Sequence, residues 1–361
     1  MSHQTTRRRF GSYGITATAL ASVVFSLSFA AQAQSSAPAR PDADMQMVLD
    51  SLASLKGKPI ETLQPPEARR QPTPADAVTK ILKTTAQSTK PQVLVPGISS
   101  KDIMIPGAAG QLPARVYVPA GRGPFPVITY FHGGGWVIAD KNVYDGGARG
   151  LARSANAVVV SVDYRRSPEA KFPAAWDDAL AAYKWTAANA AQLKGDPTRL
   201  ALTGESAGGN LALATAIAAR DAGLPKPLAV VSVYPVAQTS TTTPSYNTYA
   251  DAKPLNRPMV QWFVNHLIKS PDDLKDPRLQ LVDANLAGLP PVTIINAQID
   301  PLLDDGAMLE AALTKAGVPV ERKVYDGVTH EFFGMAAVVE KAREAQAFAG
   351  DRLKKAFGTG M

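Results

Sequence analysis

Ser206 lies in Gly204-Glu205-Ser206-Ala207-Gly208, a Gly-x-Ser-x-Gly pentapeptide between an apolar run and an Ala-rich run. A serine hydroxyl attacks carbon only when the backbone presses it outward and a base removes its proton. A tight strand-to-helix turn does the first, and it needs glycines on either side because there is no room for Cβ atoms. The pentapeptide by itself is weak, since at ordinary Gly and Ser usage a chain of this length matches it by accident roughly once in ten. The base is found by elimination among four histidines. His3 falls in an N-terminal leader, His266 in an apolar helical cluster, and His132 before three glycines, where it reads as an organiser of that loop. His330 remains, in the loop after the last expected strand.

An acid must orient that base. Asp300 closes an apolar strand-like run and opens Asp300-Pro301-Leu302-Leu303-Asp304-Asp305, so its backbone is rigid on one side. Asp304 is the reserve; Asp304 and Asp305 are expected to cap the helix that follows, where negative charge meets the positive end of its dipole. Asp326 stands too near His330 in sequence to face it. Glu205 reads as a structural acid beneath the serine turn. A further apolar run, Val127–Phe131, ends in His132-Gly133-Gly134-Gly135-Trp136. Consecutive glycines let backbone N–H groups approach a carbonyl oxygen on which charge develops. Gly134 and Gly135, then Gly133, are the candidates, with the N–H of Ala207. A phosphate cradle would need a Lys-Ser/Thr ending that the run lacks. The chain order Ser206, Asp300, His330 is that of α/β-hydrolases.

These groups need a scaffold that brings distant loops to one edge. Beyond residue 100, strand candidates at Ala114–Val118, Val127–Phe131, Val158–Val162, Leu200–Thr203, Ala229–Val233, Val292–Ala297 and Glu321–Tyr325 alternate with helix candidates at Pro173–Asn189, Ala207–Arg220, Asp304–Ala316 and Val338–Phe357. Runs such as Ala157-Val158-Val159-Val160 are apolar throughout, as a strand covered on both faces requires. The alternation predicts an α/β class with a mostly parallel central sheet flanked by helices. Residues 238–285 break the rhythm, with one helix near Pro258–Ile268, and read as a cap over the carboxyl edge of the sheet. Helical spacing over Met45–Leu55 and Ala75–Leu82, within 34–90, would complete that cap before the domain that begins near residue 91.

The bulk properties narrow the partners. The 38 basic and 31 acidic residues give a net charge of +7. Three of the basic residues, Arg7, Arg8 and Arg9, lie in a leader read as 1–33; without them the balance is 35 against 31. The remaining charges are interspersed, so no basic stripe points to nucleic acid. The leader has paired arginines, a moderately apolar run from Ile15 to Ala31 and a small-x-small site at Ala31-Gln32-Ala33, which predicts export to the periplasm or beyond, by the twin-arginine route, with no stable membrane anchor. With no cysteine in the chain, disulfide frameworks and thiolate metal sites are excluded. Monomer and homodimer are both compatible with the sequence.

Five motifs in order carry a family resemblance: His132-Gly133-Gly134-Gly135-Trp136; Asp163-Tyr164-Arg165 with Ser167-Pro168-Glu169; Gly204-Glu205-Ser206-Ala207-Gly208-Gly209-Asn210; Asp300-Pro301-Leu302 with Asp304; and His330 with Phe332-Phe333-Gly334. Together they resemble the bacterial hormone-sensitive-lipase-like (family IV) carboxylesterases, over about residues 45–357. The resemblance implies an α/β-hydrolase fold with a helical cap and hydrolysis of short- to medium-chain acyl esters, a small-molecule substrate, with no metal or cofactor. The chain departs from the family's pattern at Arg166-Ser167, where Leu-Ala is usual, at Glu331, where Gly is common, and near Ala237-Gln238, where an aspartate is usual. These departures bear on substrate preference more than on catalysis. An amidase or lactonase would use the same residues. An exported binding protein on a hydrolase fold would usually have lost one of them.

Overall fold

The computed structural model describes residues 39–360 and, before them, Gly11 alone; the export reading of 1–33 therefore lies outside the described residues. Eight strands, β1 (Ile98–Gly107), β2 (Gly110–Pro119), β3 (Phe125–Phe131), β4 (Val158–Val162), β5 (Gly195–Glu205), β6 (Ala229–Val233), β7 (Val292–Ile299) and β8 (Val320–Thr329), form one sheet in the order β1-β2-β4-β3-β5-β6-β7-β8. β1 and β2 are antiparallel to each other, and β2 is antiparallel to β4; from β4 onward neighbours run parallel. The main helices are α1 (Ala43–Ser54), α2 (Pro74–Thr84), α3 (Asp145–Ala155), α4 (Ala174–Asn189), α5 (Ala207–Asp221), α6 (Arg257–Leu267), α7 (Leu303–Lys315) and α8 (Glu340–Phe357).

The period-2 geometry of the strands divides the core in two. Val127 and Phe131 of β3, with Leu200 and Leu202 of β5 and Val230 of β6, pack against α4, α5 and α7. Ile128 and Tyr130, Ala201, and Val231 and Val233 face the other way, against α3 and α8. Both faces are covered, which is why these strands read as unbroken apolar runs. All seven expected strands are present, two of them, β4 and β6, with the expected limits.

Two elements escaped the sequence reading. β1 buries only Ile98 and Ile105, because it is an edge strand with Ser99 to Asp102 facing solvent, so its one apolar triplet, Ile103 to Ile105, is too short to mark a strand. α3 contains Gly146, Gly147 and Gly150, which read as loop. Those glycines serve close packing: a Cβ at Gly147 would lie 2.0 Å from Glu205 Oε1, and one at Gly150 2.0 Å from Gln346 Oε1 of α8.

The insertion between β6 and β7 packs against the N-terminal segment. Leu63 and Ala68 form a cluster with Tyr246, Leu255, Met259, Trp262 and Phe263. Trp262 Nε1 donates to Leu63 O at 3.0 Å, and Asn256 Nδ2 to Glu61 Oε1 at 3.0 Å. α6 begins where Asn256 Oδ1 accepts from Met259 N at 2.7 Å, an N-cap that starts the helix at its first apolar turn. Among the described residues no helix is long and apolar enough to cross a membrane.

Candidate active site

In a parallel sheet every strand delivers its last residue to the same edge. β5 ends at Glu205, so Ser206 follows it; β7 ends at Ile299, before Asp300; β8 ends at Thr329, before His330; and β3 ends at Phe131, before His132. The four loops expected to carry the chemistry therefore meet along that edge.

Ser206 has φ 57° and ψ −119°, a backbone conformation that side-chain-bearing residues rarely adopt. Its N–H donates to Val233 O at 2.8 Å, and its carbonyl accepts from Asn210 N at 3.1 Å, so β6 and the first turn of α5 hold it there. The flanking glycines are sterically required: a Cβ at Gly204 would lie 2.1 Å from Gly208 O, and one at Gly208 would lie 2.0 Å from Phe131 O. Replacing Gly208 by valine is expected to lower the urea midpoint by the equivalent of 3 kcal/mol or more, about the scale of severe core disruption. A midpoint within the error of the wild type would refute the steric reading.

His330 Nε2 lies 2.9 Å from Ser206 Oγ, and its Nδ1 lies 2.6 Å from Asp300 Oδ2. Asp300 Oδ1 accepts from Leu302 N at 2.9 Å, which fixes the carboxylate plane. All three side chains are buried. Burial works against the imidazolium, but the Asp300 carboxylate beside Nδ1, its hydrogen bond, and the nearby Glu331 and Glu205 carboxyls outweigh it and hold the pKa of His330 above its ordinary value.

Gly134 and Gly135 have φ of +94° and +57°, so the glycine run is a shaped turn. The N–H groups of Gly133, Gly134, Gly135 and Ala207 donate to no acceptor among the described residues. His132 sits outside the serine's hydrogen-bond chain, as expected: its Nδ1 lies 2.7 Å from Gly133 O, and its ring stacks on Tyr164 at 4.3 Å. Burial depresses its pKa. Tyr164 Oη also donates to His132 O at 2.9 Å. His266 stands on α6, edge-on to Trp262, in the cap cluster where it was expected.

Glu205 is buried beneath the serine turn, accepting from Tyr130 Oη and Tyr234 Oη. Burial pushes its carboxyl up to about 7 despite those two donors. One expectation needs correcting. Asp304 and Asp305 lie in the first turn of α7, at the positive end of its dipole as expected, but neither makes a capping bond; the N-cap residue, Leu302, makes no side-chain cap bond. Asp305 is fully buried and accepts from Ala237 N at 3.0 Å and Gln238 Nε2 at 2.8 Å; Asp304 accepts from Ser245 N at 2.8 Å. Both bind the insertion to the main domain, a gain that outweighs helix capping because it satisfies buried amides. Burial raises the Asp305 carboxyl to about 7.

Sequence reasoning missed Tyr144, Tyr130 and Tyr234, whose hydroxyls reach Glu331 and Glu205. Tyrosines in apolar surroundings give no sequence signal of their partners. Two cavities touch Ser206. One of about 580 Å³ is lined by Gly134, Gly135, Ser206, His330, Glu331 and Phe263. A smaller apolar one of about 40 Å³ is lined by Ser206, Gly135, Trp136, Val236, Leu267 and Leu274.

A serine, a histidine and an aspartate joined by hydrogen bonds at the carboxyl edge of such a sheet define a serine hydrolase of the α/β type. A family model described as alpha/beta hydrolase fold matches residues 128–334. The carboxylesterase NlhH of Mycobacterium tuberculosis is 37% identical over 328 residues, 88% of this chain and 98% of that protein. Ethyl acetate hydrolase of Pseudomonas putida is 33% identical over 307 residues, 83% and 93% of the two chains. Among solved structures, the hyperthermophilic esterase of Pyrobaculum calidifontis superposes with a TM-score of 0.70 at 37% identity, covering 77% of this chain and 93% of that one. A thermostable esterase from Pseudomonas putida ECU1011 gives 0.78 at 31%, covering 90% and 99%. The chain belongs to the hormone-sensitive-lipase-like carboxylesterases of the α/β-hydrolase fold and is a carboxylic ester hydrolase.

Proposed function

We propose that Ser206 is the nucleophile of a two-step acyl transfer on short- to medium-chain carboxylic esters, with His330 as general base and Asp300 as its orienter. The observation that carries this reading is the continuous chain Asp300–His330–Ser206, with contacts of 2.6 and 2.9 Å, beside a glycine turn whose N–H groups find no acceptor among the described residues. His330 takes the Ser206 proton as Oγ attacks the ester carbonyl. The N–H groups of Gly134, Gly135 and Ala207, with Gly133 beside them, receive the oxyanion, Ala207 adding the positive end of α5. His330 then gives the proton to the leaving alcohol and activates the water that frees the acid, while Asp300 stabilises the imidazolium.

The two cavities divide the substrate. The leaving oxygen must face His330, so the alcohol half belongs in the larger cavity, which His330 lines. The acyl half then fits the small apolar pocket, which Ser206 and Gly135 line and His330 does not. The N-terminal helices within residues 39–90 and the insertion at about 238–285 act together as the cap, and the leader at 1–33 exports the chain by the twin-arginine route. A chromogenic ester series of rising acyl length is expected to peak at short chains, with matched amides and lactones slower. A maximum at long acyl chains would make the protein a lipase, and faster amide or lactone turnover would make it an amidase or lactonase.

A further inference from the structure

Glu331 follows His330 and has φ 72°, a left-handed conformation that favours glycine. A carboxylate kept at such a position must have a use that offsets the strain. Its Oε1 accepts from Tyr144 Oη at 2.6 Å. Tyr144 is itself wedged against the glycine turn, where a Cβ at Gly133 would lie 2.2 Å from its Oη. Beside this pair is a second cavity of about 700 Å³ with an apolar side formed by Val78, Leu82, Leu94 and Met335 and a charged side that includes Arg149 and Arg153. Val143, Tyr144 and Glu331 line both this cavity and the one at Ser206.

We propose that the Tyr144–Glu331 pair is the partition between the two cavities, and that the second cavity receives the distal end of a long alkyl chain on the alcohol half of the ester once the pair parts. This rests on the reading of Ser206 and His330 given above. The assignment to the alcohol half follows from position, since Glu331 extends the His330 side of the site, toward which the leaving oxygen must face. A chain directed there meets the hydrogen-bonded pair first and the apolar wall of Val78, Leu82 and Met335 beyond it. The pair therefore sets the length at which alcohols cease to gain from further methylenes.

The test uses two ester series on the full protein, acetates of n-alkanols from two to twelve carbons and ethyl esters of fatty acids over the same range, followed by acid release. Each newly buried methylene is worth about a factor of three to four in binding. In Glu331→Gly, which suits the backbone at this position, the ratio of kcat/KM for dodecyl acetate over ethyl acetate is expected to rise at least about tenfold over wild type, with the acyl series unmoved. Tyr144→Phe, which keeps the ring and removes only the hydrogen bond, should raise the ratio in the same direction and decides the question if the first variant does not fold. Adding Ala337→Trp to Glu331→Gly should occlude part of the second cavity and bring the ratio back toward the wild-type value. An unmoved ratio in folded variants, a shift in the acyl series instead, or a gain left undiminished by Ala337→Trp would each overturn the proposal. Ser206→Ala separates the two readings: if it still turns over ethyl acetate the site assignment fails, and if it is inactive while the ratio stays unmoved only the partition fails.

Discussion

Ser206→Ala is expected to lower kcat on a short-chain ester by on the order of 10⁵–10⁶-fold, leaving only the rate that binding and the N–H groups of the glycine turn can supply. The loss is large because the hydroxyl has no substitute: His330 Nε2 faces Ser206 Oγ at 2.9 Å, and without Oγ that nitrogen could at best activate a water. Folding should survive. Ser206 is buried, but its side chain makes this one hydrogen bond among the described residues, and its backbone is held from β6 and α5. Ser206→Gly sharpens the test, because φ 57° with ψ −119° costs a residue bearing Cβ about 1–3 kcal/mol. Glycine escapes that cost but loses about 0.5–1 kcal/mol through the freedom of its unfolded chain. The glycine variant should therefore be as inactive as the alanine variant and melt about 2–4 °C higher. Near-wild-type turnover in Ser206→Ala would remove Ser206 from the mechanism. Equal melting of the two variants would show that the strain of the turn is no larger than glycine's own loss of about 0.5–1 kcal/mol.

Much of this site was legible in the sequence for a physical reason. Ser206, Asp300 and His330 each follow a strand of the parallel part of the sheet, and the strand ends locate the loops. β5 and β7 are covered on both faces near their ends, so their apolar runs stand out, while β8, at the sheet edge, shows instead an alternating pattern. The glycines were equally informative, because at Gly204 and Gly208 a Cβ would collide with backbone that cannot move. What stayed hidden was of two kinds. β1 and α3 have no signature in local pattern, one being half-exposed at an edge and the other using glycines for close approach to α8. The partners of polar side chains were the other kind. Asp305 looked like a helix cap and instead holds Ala237 and Gln238, and Glu331 looked like a mere departure from a family pattern and instead pairs with Tyr144 across 187 positions. Local chemistry names what a side chain can bind; only the topology says which group comes within reach.

Asp300→Asn should cost about 10⁴-fold in kcat and move the acid limb of the pH profile in a direction the geometry dictates. The amide keeps an acceptor for Leu302 N, so the loop that carries residue 300 is not disturbed. At Oδ2 the change is severe. A carboxylate accepts the Nδ1–H of His330 and so presents a bare Nε2 to Ser206; an amide NH₂ placed there donates to Nδ1, drives the proton to Nε2 and leaves no base facing Oγ. In the wild type, activity requires neutral His330. Because Asp300, Glu331 and Glu205 outweigh burial and raise the pKa of His330, kcat/KM should fall with acid already above the ordinary histidine value. Removing the largest of the favourable charges leaves burial opposed only by Glu331 and Glu205, so the limb should move to lower pH. The same proton acts on stability with the opposite sense. A folded-state pKa above the unfolded one means that the native protein binds the proton more tightly, so His330 adds stability that is complete below the unfolded pKa and is lost as pH rises through the folded one. Activity and this share of stability thus trade against each other across the same interval, and Asp300→Asn should extend the acid limb of activity to lower pH while shrinking the stability contribution. A kcat/KM profile for the variant whose acid limb stays where the wild type has it would mean that Asp300 does not act through the charge of His330.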